Sequence, residues 1–191
     1  MQEDKEPEVW KSIPDYEGIY EISSWGKVKG LERLVGYRRK GFLKIVSEKI
    51  LANHIRGTYE FVNLYKENKR DPKNVNVLVA MVFLENYDAS KLVNHKDKNK
   101  LNNYYKNLEC VSPRENVTFS INKKLTSSKF VGVRVRFFKR KKAITSDIYH
   151  NGKTKHLGTF TTEEEAHQAY INALKDYGLT NKYANESQEK S

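Results

Sequence analysis

The stretch LVNHKDKNKLNNYYKNLECVSPRENV, residues 92–117, surrounds one histidine, His95, with Asn94, Asn99, Asn102, Asn103, Asn107 and Asn116. Leu92 and Val93 make a short apolar lead into Asn94-His95, and the polar residues from Lys96 to Asn103 predict a loop. NLECV then returns as a second short strand. Ser112-Pro113-Arg114-Glu115 has the grammar of a helix start. Serine is the N-cap, proline sits at the first helical position where its missing N–H costs nothing, and glutamate stands at the third. The unit reads as strand, loop, strand, helix, with Asn116 on the first helical turn.

This unit resembles the active-site motif of the HNH homing endonucleases, the ββα-metal nucleases. Asn94-His95, DKNKLNN, NLECV and Asn116 stand at that family's spacing. The resemblance implies metal-dependent hydrolysis of DNA phosphodiesters. His95 would be the general base, since neutral imidazole accepts a proton near pH 7. One Mg²⁺ (or Mn²⁺) would be held by the amide oxygens of Asn94 and Asn116, with phosphate and water filling the other positions. Asn107 would orient the His95 ring by a hydrogen bond and so fix its tautomer. Asn99, Asn102 and Asn103 read as turn-formers.

Two departures from the family pattern matter. Many relatives carry Asp where this chain has the neutral Asn94, and VNVLVA, with Asn76 and Val77, stands in place of VHRLVA. A neutral ligand holds a cation less tightly. That leaves an alternative open: a sequence-specific DNA-binding regulator with a decayed nuclease centre.

Upstream, VWKSIPDYEGIYEISSWGKVKGL alternates short apolar runs with turn residues and predicts small β-structure. It resembles the N-terminal module often fused to phage HNH homing endonucleases, on Trp10, Tyr16, Gly18, Tyr20, Ser23, Gly26 and Val28. The resemblance implies DNA binding, while Trp10 and Tyr20 read as core. YEFVNLY predicts a strand followed by a polar turn. NVLVAMVFL predicts a short buried helix, although periodicity alone does not exclude a strand.

Downstream, SINKKLTSSK reads as a linker. In FVGVRVRFF the residues Val131, Val133, Val135 and Phe137 alternate with Arg134 and Arg136, a strand with one apolar and one basic face. AITSDIY and KTKHLGTF predict two more strands joined by Asn151-Gly152, a hairpin turn signal. Thr162 and Glu165 form a capping box ahead of the stripe Ala166, Ala169, Tyr170, Ala173, Leu174, Tyr177, and Gly178 marks the stop. His54, His150 and His167 read as surface residues.

This segment resembles the ethylene-response-factor (AP2/ERF-like) DNA-binding domain of plants, on GVRVR, AITSDI and HLGTFTTEEEAHQAY. The resemblance implies a sheet laid in the DNA major groove. Arg134, Arg136, Lys139, Arg140, Lys141, Lys153 and Lys155 would gather on or near its exposed face. Phe138 and His156 stand where plant relatives present tryptophans.

Charge agrees independently. The net charge is +11, and eleven Lys or Arg with a single acid, Asp147, lie between residues 121 and 160. A basic excess concentrated in this way favours a polyanion, here double-stranded DNA; an RNA-directed or structural basic protein is a further alternative. The one cysteine, Cys110, excludes an intrachain disulfide and an all-cysteine zinc site. No apolar run approaches the roughly 20 residues of a membrane span. A cytoplasmic monomer that engages no membrane is expected. The expected class is α+β in three parts: an N-terminal β-rich module at 7–58, the ββα nuclease domain at 59–122, and a three-stranded antiparallel sheet packed on one helix at 128–180.

Overall fold

The computed structural model describes residues 6–36, 42–120, 127–138 and 141–184. Sheets and a few helices form two compact units, Met1–Val111 and Ser112–Ser191.

The first unit opens with short strands, as the turn-rich sequence requires. β1 (Trp10–Ser12), β2 (Tyr20–Ser23) and β3 (Val28–Gly30) form a meander. Among the described residues β4 (Arg33–Gly36) and β5 (Leu43–Val46) pair only with each other, and β6 (Lys49–Ile50) returns to the edge of β3. β7 (His54–Arg56), β8 (Tyr59–Lys66) and β9 (Lys69–Asn74) make a second antiparallel sheet. The polar turn expected after the strand at 59–65 is the pair Glu67-Asn68, both with positive φ, and the chain then returns as β9. KRDPKN lacks apolar alternation and contains Pro72, so it did not read as a strand. Its place at a sheet edge explains both features.

α1 (Val75–Phe83) is the buried helix expected from NVLVAMVFL. It has no side-chain cap and no acid in its first turn, so packing of Val75, Leu78, Val79 and Ala80 holds it. β10 (Leu92–His95) and β11 (Leu108–Val111) then pair as an antiparallel hairpin.

One core runs through this unit. Ile13, Tyr20, Ile22 and Val28 pack with Val62, Leu64, Val75, Leu78 and Leu108. Full burial of each aliphatic side chain contributes roughly 1.5–3 kcal/mol. The boundary expected between residues 58 and 59 therefore does not separate two bodies. It falls inside the β7–β8 hairpin, and the apolar cluster draws on both sides of it.

The second unit begins with α2 (Pro113–Ser120). Its capping box is formed: Glu115 N donates to Ser112 Oγ (3.2 Å) and Ser112 N to Glu115 Oε2 (2.8 Å). The same buried carboxylate accepts from Lys182 N (3.2 Å), and Asn181 Nδ2 donates to Thr118 Oγ1 (2.9 Å). Thus α2 is tied to the segment after the last helix of its own unit.

β12 (Val133–Phe138), β13 (Lys141–His150) and β14 (Lys153–Phe160) form the expected three-stranded antiparallel sheet, with the turn at Asn151-Gly152. α3 (Glu163–Asp176) carries the Thr162–Glu165 capping box. Ala166 packs on Val135 and Ile144, and Tyr170, Ala173 and Leu174 pack on Ile148.

Two expectations for this unit need correction. His167 is buried at 1% exposure; its Nδ1 lies 2.9 Å from Val131 O and its ring stacks on Phe130. The buried strip of α3 is wider than its apolar stripe, because Phe130 and Val131, just ahead of β12, cover His167 as well. Phe137, expected on the apolar face, is 77% exposed. The cluster that includes Ala166 of α3 takes in Val133 and Val135 but not Phe137.

Candidate active site

In the β10–β11 hairpin Asn94 stands opposite Glu109 and His95 opposite Leu108. Strand alternation puts His95 on the side of Val93, which packs on the core, so the imidazole is buried at 2% exposure. Burial pushes its pKa below the usual value. The Asn103 contact and the nearby Asp97 work in the opposite direction without cancelling the effect, and Lys100 adds to the depression. A buried imidazole lowered in this way is neutral, and able to accept a proton, at physiological pH.

The asparagines fold the loop between the strands. Asp97 Oδ1 accepts from Asn99 N (2.8 Å) and Asn107 Nδ2 (3.0 Å), and Asp97 Oδ2 accepts from Asn102 Nδ2 (2.7 Å). Asn107 Oδ1 accepts in turn from Asp97 N (3.1 Å), and Asn107 Nδ2 also donates to Asn102 O (2.8 Å). Burial raises the Asp97 carboxyl, but the hydrogen bonds from Asn102, Asn107 and Asn99 outweigh it and leave its pKa low.

The expected hydrogen bond from Asn107 to the His95 ring is made by Asn103 instead. Asn103 Oδ1 lies 3.2 Å from His95 Nε2. Asn107 cannot serve both roles, because its two amide atoms are engaged in bracing Asp97 and Asn102. Asn103, expected to be a turn-former, is buried; its Nδ2 donates to Glu60 Oε2 (2.9 Å) on β8. Asn53 Nδ2 donates to the same oxygen (3.2 Å) and to Gly26 O (3.1 Å). Glu60 carried no signal in the sequence. Asn103 read as a turn-former like Asn99 and Asn102, and only its burial and its contacts with Glu60 and His95 set it apart.

Asn94 Nδ2 donates to Glu109 Oε1 (3.2 Å) across the hairpin. The amide atom that faces Glu109 is the nitrogen; the Asn94 oxygen and the Glu109 carboxylate are both hard donors of the kind Mg²⁺ or Mn²⁺ accepts. Among the described residues no three His, Cys, Asp or Glu side chains cluster as a metal site. Asn116 lies on the first turn of α2 in the second unit, its N–H donating to Ser112 O (2.9 Å).

The second unit presents the other candidate surface. Arg134 and Arg136 are exposed on the face of the sheet away from α3, with Thr145 and Ala143 as their cross-strand neighbours. Asp147 joins them there, 3.6 Å from Arg134 Nη1 and 2.8 Å from His156 Nδ1. Lys155 does not gather with these arginines. It stands opposite the buried Ile148, and its Nζ donates to Tyr177 OH (2.7 Å) beyond α3. Lys153, two residues earlier, shares that side of the strand. The register shift between Ser146 and Asp147 sets this parity. Lys139 and Arg140 lie outside the described residues, as does the side chain of Lys141. Among the described residues no helix is long and apolar enough to cross a membrane.

Comparison with known proteins locates these features. Residues 8–65 match the NUMOD4 motif, and residues 86–118 match the HNH endonuclease family model. The chain is 35% identical over 126 residues to the uncharacterized HNH endonuclease L247 of Acanthamoeba polyphaga mimivirus, covering 63% of this chain and 28% of that protein. It is 35% identical over 109 residues to the DNA endonuclease I-HmuI of Bacillus phage SP01, covering 56% of this chain and 55% of that one. In both cases the match spans less than two thirds of the relative. A solved structure on DNA binding and cleavage by the HNH homing endonuclease I-HmuI aligns over 90% of this chain and 84% of that chain, at 27% identity and a TM-score of 0.48. The hairpin of Asn94 and His95, its asparagine-braced loop and Asn116 all fall within the match at 86–118, so the chain carries an HNH endonuclease segment, preceded by a NUMOD4 motif.

Proposed function

We propose that this protein is a site-specific DNA endonuclease of the homing type, hydrolysing phosphodiester bonds with His95 as general base and a divalent cation, Mg²⁺ or Mn²⁺, as cofactor. The observation that carries this reading is His95 itself. It is a buried imidazole with a depressed pKa, held at one ring nitrogen, on a hairpin that matches a nuclease family. Asn94 and, from the motif, Asn116 are the proposed metal ligands, with Glu109 beside Asn94. Asn107 keeps the loop in shape. When bound, the cation supplies Lewis-acid stabilisation of negative charge developing on the phosphate and the departing 3′ oxygen. The chain's own part is to take the proton from the attacking water at His95.

Purified protein should nick supercoiled plasmid in Mg²⁺ and stop on chelation by EDTA. If no metal-dependent nicking occurs, the DNA-binding regulator becomes the better reading, one that the neutral Asn94 favours. The cleavage rate should rise with pH through a midpoint below the ordinary imidazole value of 6.5, because the lowered pKa keeps His95 unprotonated further into the acid range. A rate that keeps climbing well past neutrality would remove His95 as the titrating base.

The second unit is the proposed AP2/ERF-like duplex-DNA reader, with Arg134 and Arg136 on its working face. Removing one phosphate-neutralising side chain should reduce the slope of log affinity against log salt by about one. Arg134→Ala and Arg136→Ala should therefore flatten the salt dependence or relax sequence preference. Lys155→Ala, which removes a lysine held on the other side of the strand, should leave both unchanged. Equal effects from all three substitutions in a filter-binding titration would contradict the assigned face.

A further inference from the structure

We propose that Glu60 and Asn103 are positioning residues that fix the tautomer of His95: the proton sits on Nε2, and Nδ1 is the atom that accepts a proton from water. The proposal rests on the nuclease reading above and adds to it a residue from within the NUMOD4 match.

Glu60 sets the first orientation. A carboxylate oxygen only accepts hydrogen bonds, so the Asn103 atom 2.9 Å from Glu60 Oε2 must be the NH₂ group. That orients the amide without ambiguity and turns its oxygen towards His95. An amide oxygen also only accepts, so Nε2, 3.2 Å away, must carry a hydrogen. In the neutral ring the lone pair is then on Nδ1. When Nδ1 takes a proton, the O–H bond of water breaks as its oxygen bonds phosphorus. The P–O3′ bond breaks, and the leaving oxygen takes its proton from solvent. The Asn103 oxygen remains a good partner for the resulting imidazolium, because Nε2 is still a donor.

The Glu60 contact alone decides which way the Asn103 amide faces, while packing fixes the root of the side chain. A Cβ built on Gly26 would lie 2.7 Å from Asn103 Cβ, so the NUMOD4 backbone presses directly on this side chain. Asn53 Nδ2 donates to the same Glu60 oxygen, which holds that carboxylate in place. Glu60, Asn53 and Gly26 all lie within residues 8–65. A motif expected only to bind DNA would thus also set the protonation geometry of the nuclease centre.

The test is ¹⁵N NMR of the full chain labelled at histidine, without metal, at a pH where the rings are neutral, with the His95 signals assigned by their loss in His95→Gln. The wild type should show His95 with Nδ1 unprotonated and Nε2 protonated. Glu60→Leu frees the Asn103 amide to flip and should shift His95 towards the other tautomer or a mixture. It should also slow single-turnover cleavage in Mg²⁺ roughly tenfold to a hundredfold, with DNA affinity unchanged. Glu60→Gln keeps an oxygen facing Asn103 and should retain both the tautomer and most of the rate. A wild-type ring protonated on Nδ1, or a tautomer indifferent to Glu60→Leu, would overturn the proposal. If Glu60→Leu does not fold, the wild-type spectrum decides alone. The expected tautomer in a protein that cuts no DNA would leave the relay standing and overturn the nuclease reading. Cleavage with the opposite tautomer would do the reverse.

Discussion

His95→Ala is expected to reduce Mg²⁺-dependent nicking of plasmid DNA by roughly 10²- to 10⁴-fold, the usual contribution of a positioned general base. DNA affinity at fixed salt should be unchanged, because the exposed arginines proposed to bind DNA lie on the other unit. The truncation also has a structural cost, since His95 is buried and its loss strips Asn103 Oδ1 of a partner. An orphaned buried acceptor costs about 1–3 kcal/mol. His95→Gln separates the two effects: its amide NH₂ can donate to Asn103 while no proton acceptor of imidazole strength remains. Both variants should be inactive, and the Gln variant should melt closer to the wild type. If either cut DNA at the wild-type rate, the general base would have to be sought elsewhere.

Gly26→Ala should be the most damaging glycine-to-alanine change among the described residues of the first unit. The position has φ +87, and the new Cβ would meet Asn103 Cβ at 2.7 Å and Val75 Cγ1 at 3.1 Å. Left-handed backbone costs an alanine roughly 1–2 kcal/mol, and forcing a methyl into packed surroundings costs typically 1–3 kcal/mol more. Neither neighbour yields cheaply, since one is the root of the Asn103 side chain and the other belongs to fully buried Val75. The melting temperature should fall by roughly 10 °C. Cleavage measured well below the melt should fall as well, because the overlap displaces the residue that bonds His95. Gly36→Ala, with nothing within 4 Å, is the control and should lie within about 0.5 kcal/mol of the wild type. Equal melts for the two variants would refute the close packing described at Gly26.

Features that depend on neighbours along the chain were legible in the sequence. The β10–β11 hairpin, the Ser112–Glu115 and Thr162–Glu165 capping boxes, the Asn151-Gly152 turn and buried α1 follow from spacing and turn chemistry. Features that depend on distant partners were not. Spacing puts both Asn103 and Asn107 within reach of His95, and only the packing of Gly26 and Glu60 selects between them. Strand parity in the second sheet is local until a register shift at Ser146/Asp147, which sequence alternation does not reveal and which moves Lys155 away from the arginines. β4, β5 and β9 are exposed ribbon or edge elements whose residues owe little to burial, so they lack the periodic signature of a core strand.

The shared core of the first unit limits how such a chain can be recombined. A chimaera cut between residues 58 and 59 would split a hairpin, open the cluster of Ile22, Val28, Val62 and Leu64, and take Asn53 and Gly26 away from Glu60 and Asn103. Grafting residues 86–118 alone onto another host would carry over His95 and Asn103 but not Glu60, to which Asn103 is bonded. An exchangeable piece must take Met1–Val111 whole, and α2, tied to Asn181 and Lys182, must stay with the second unit.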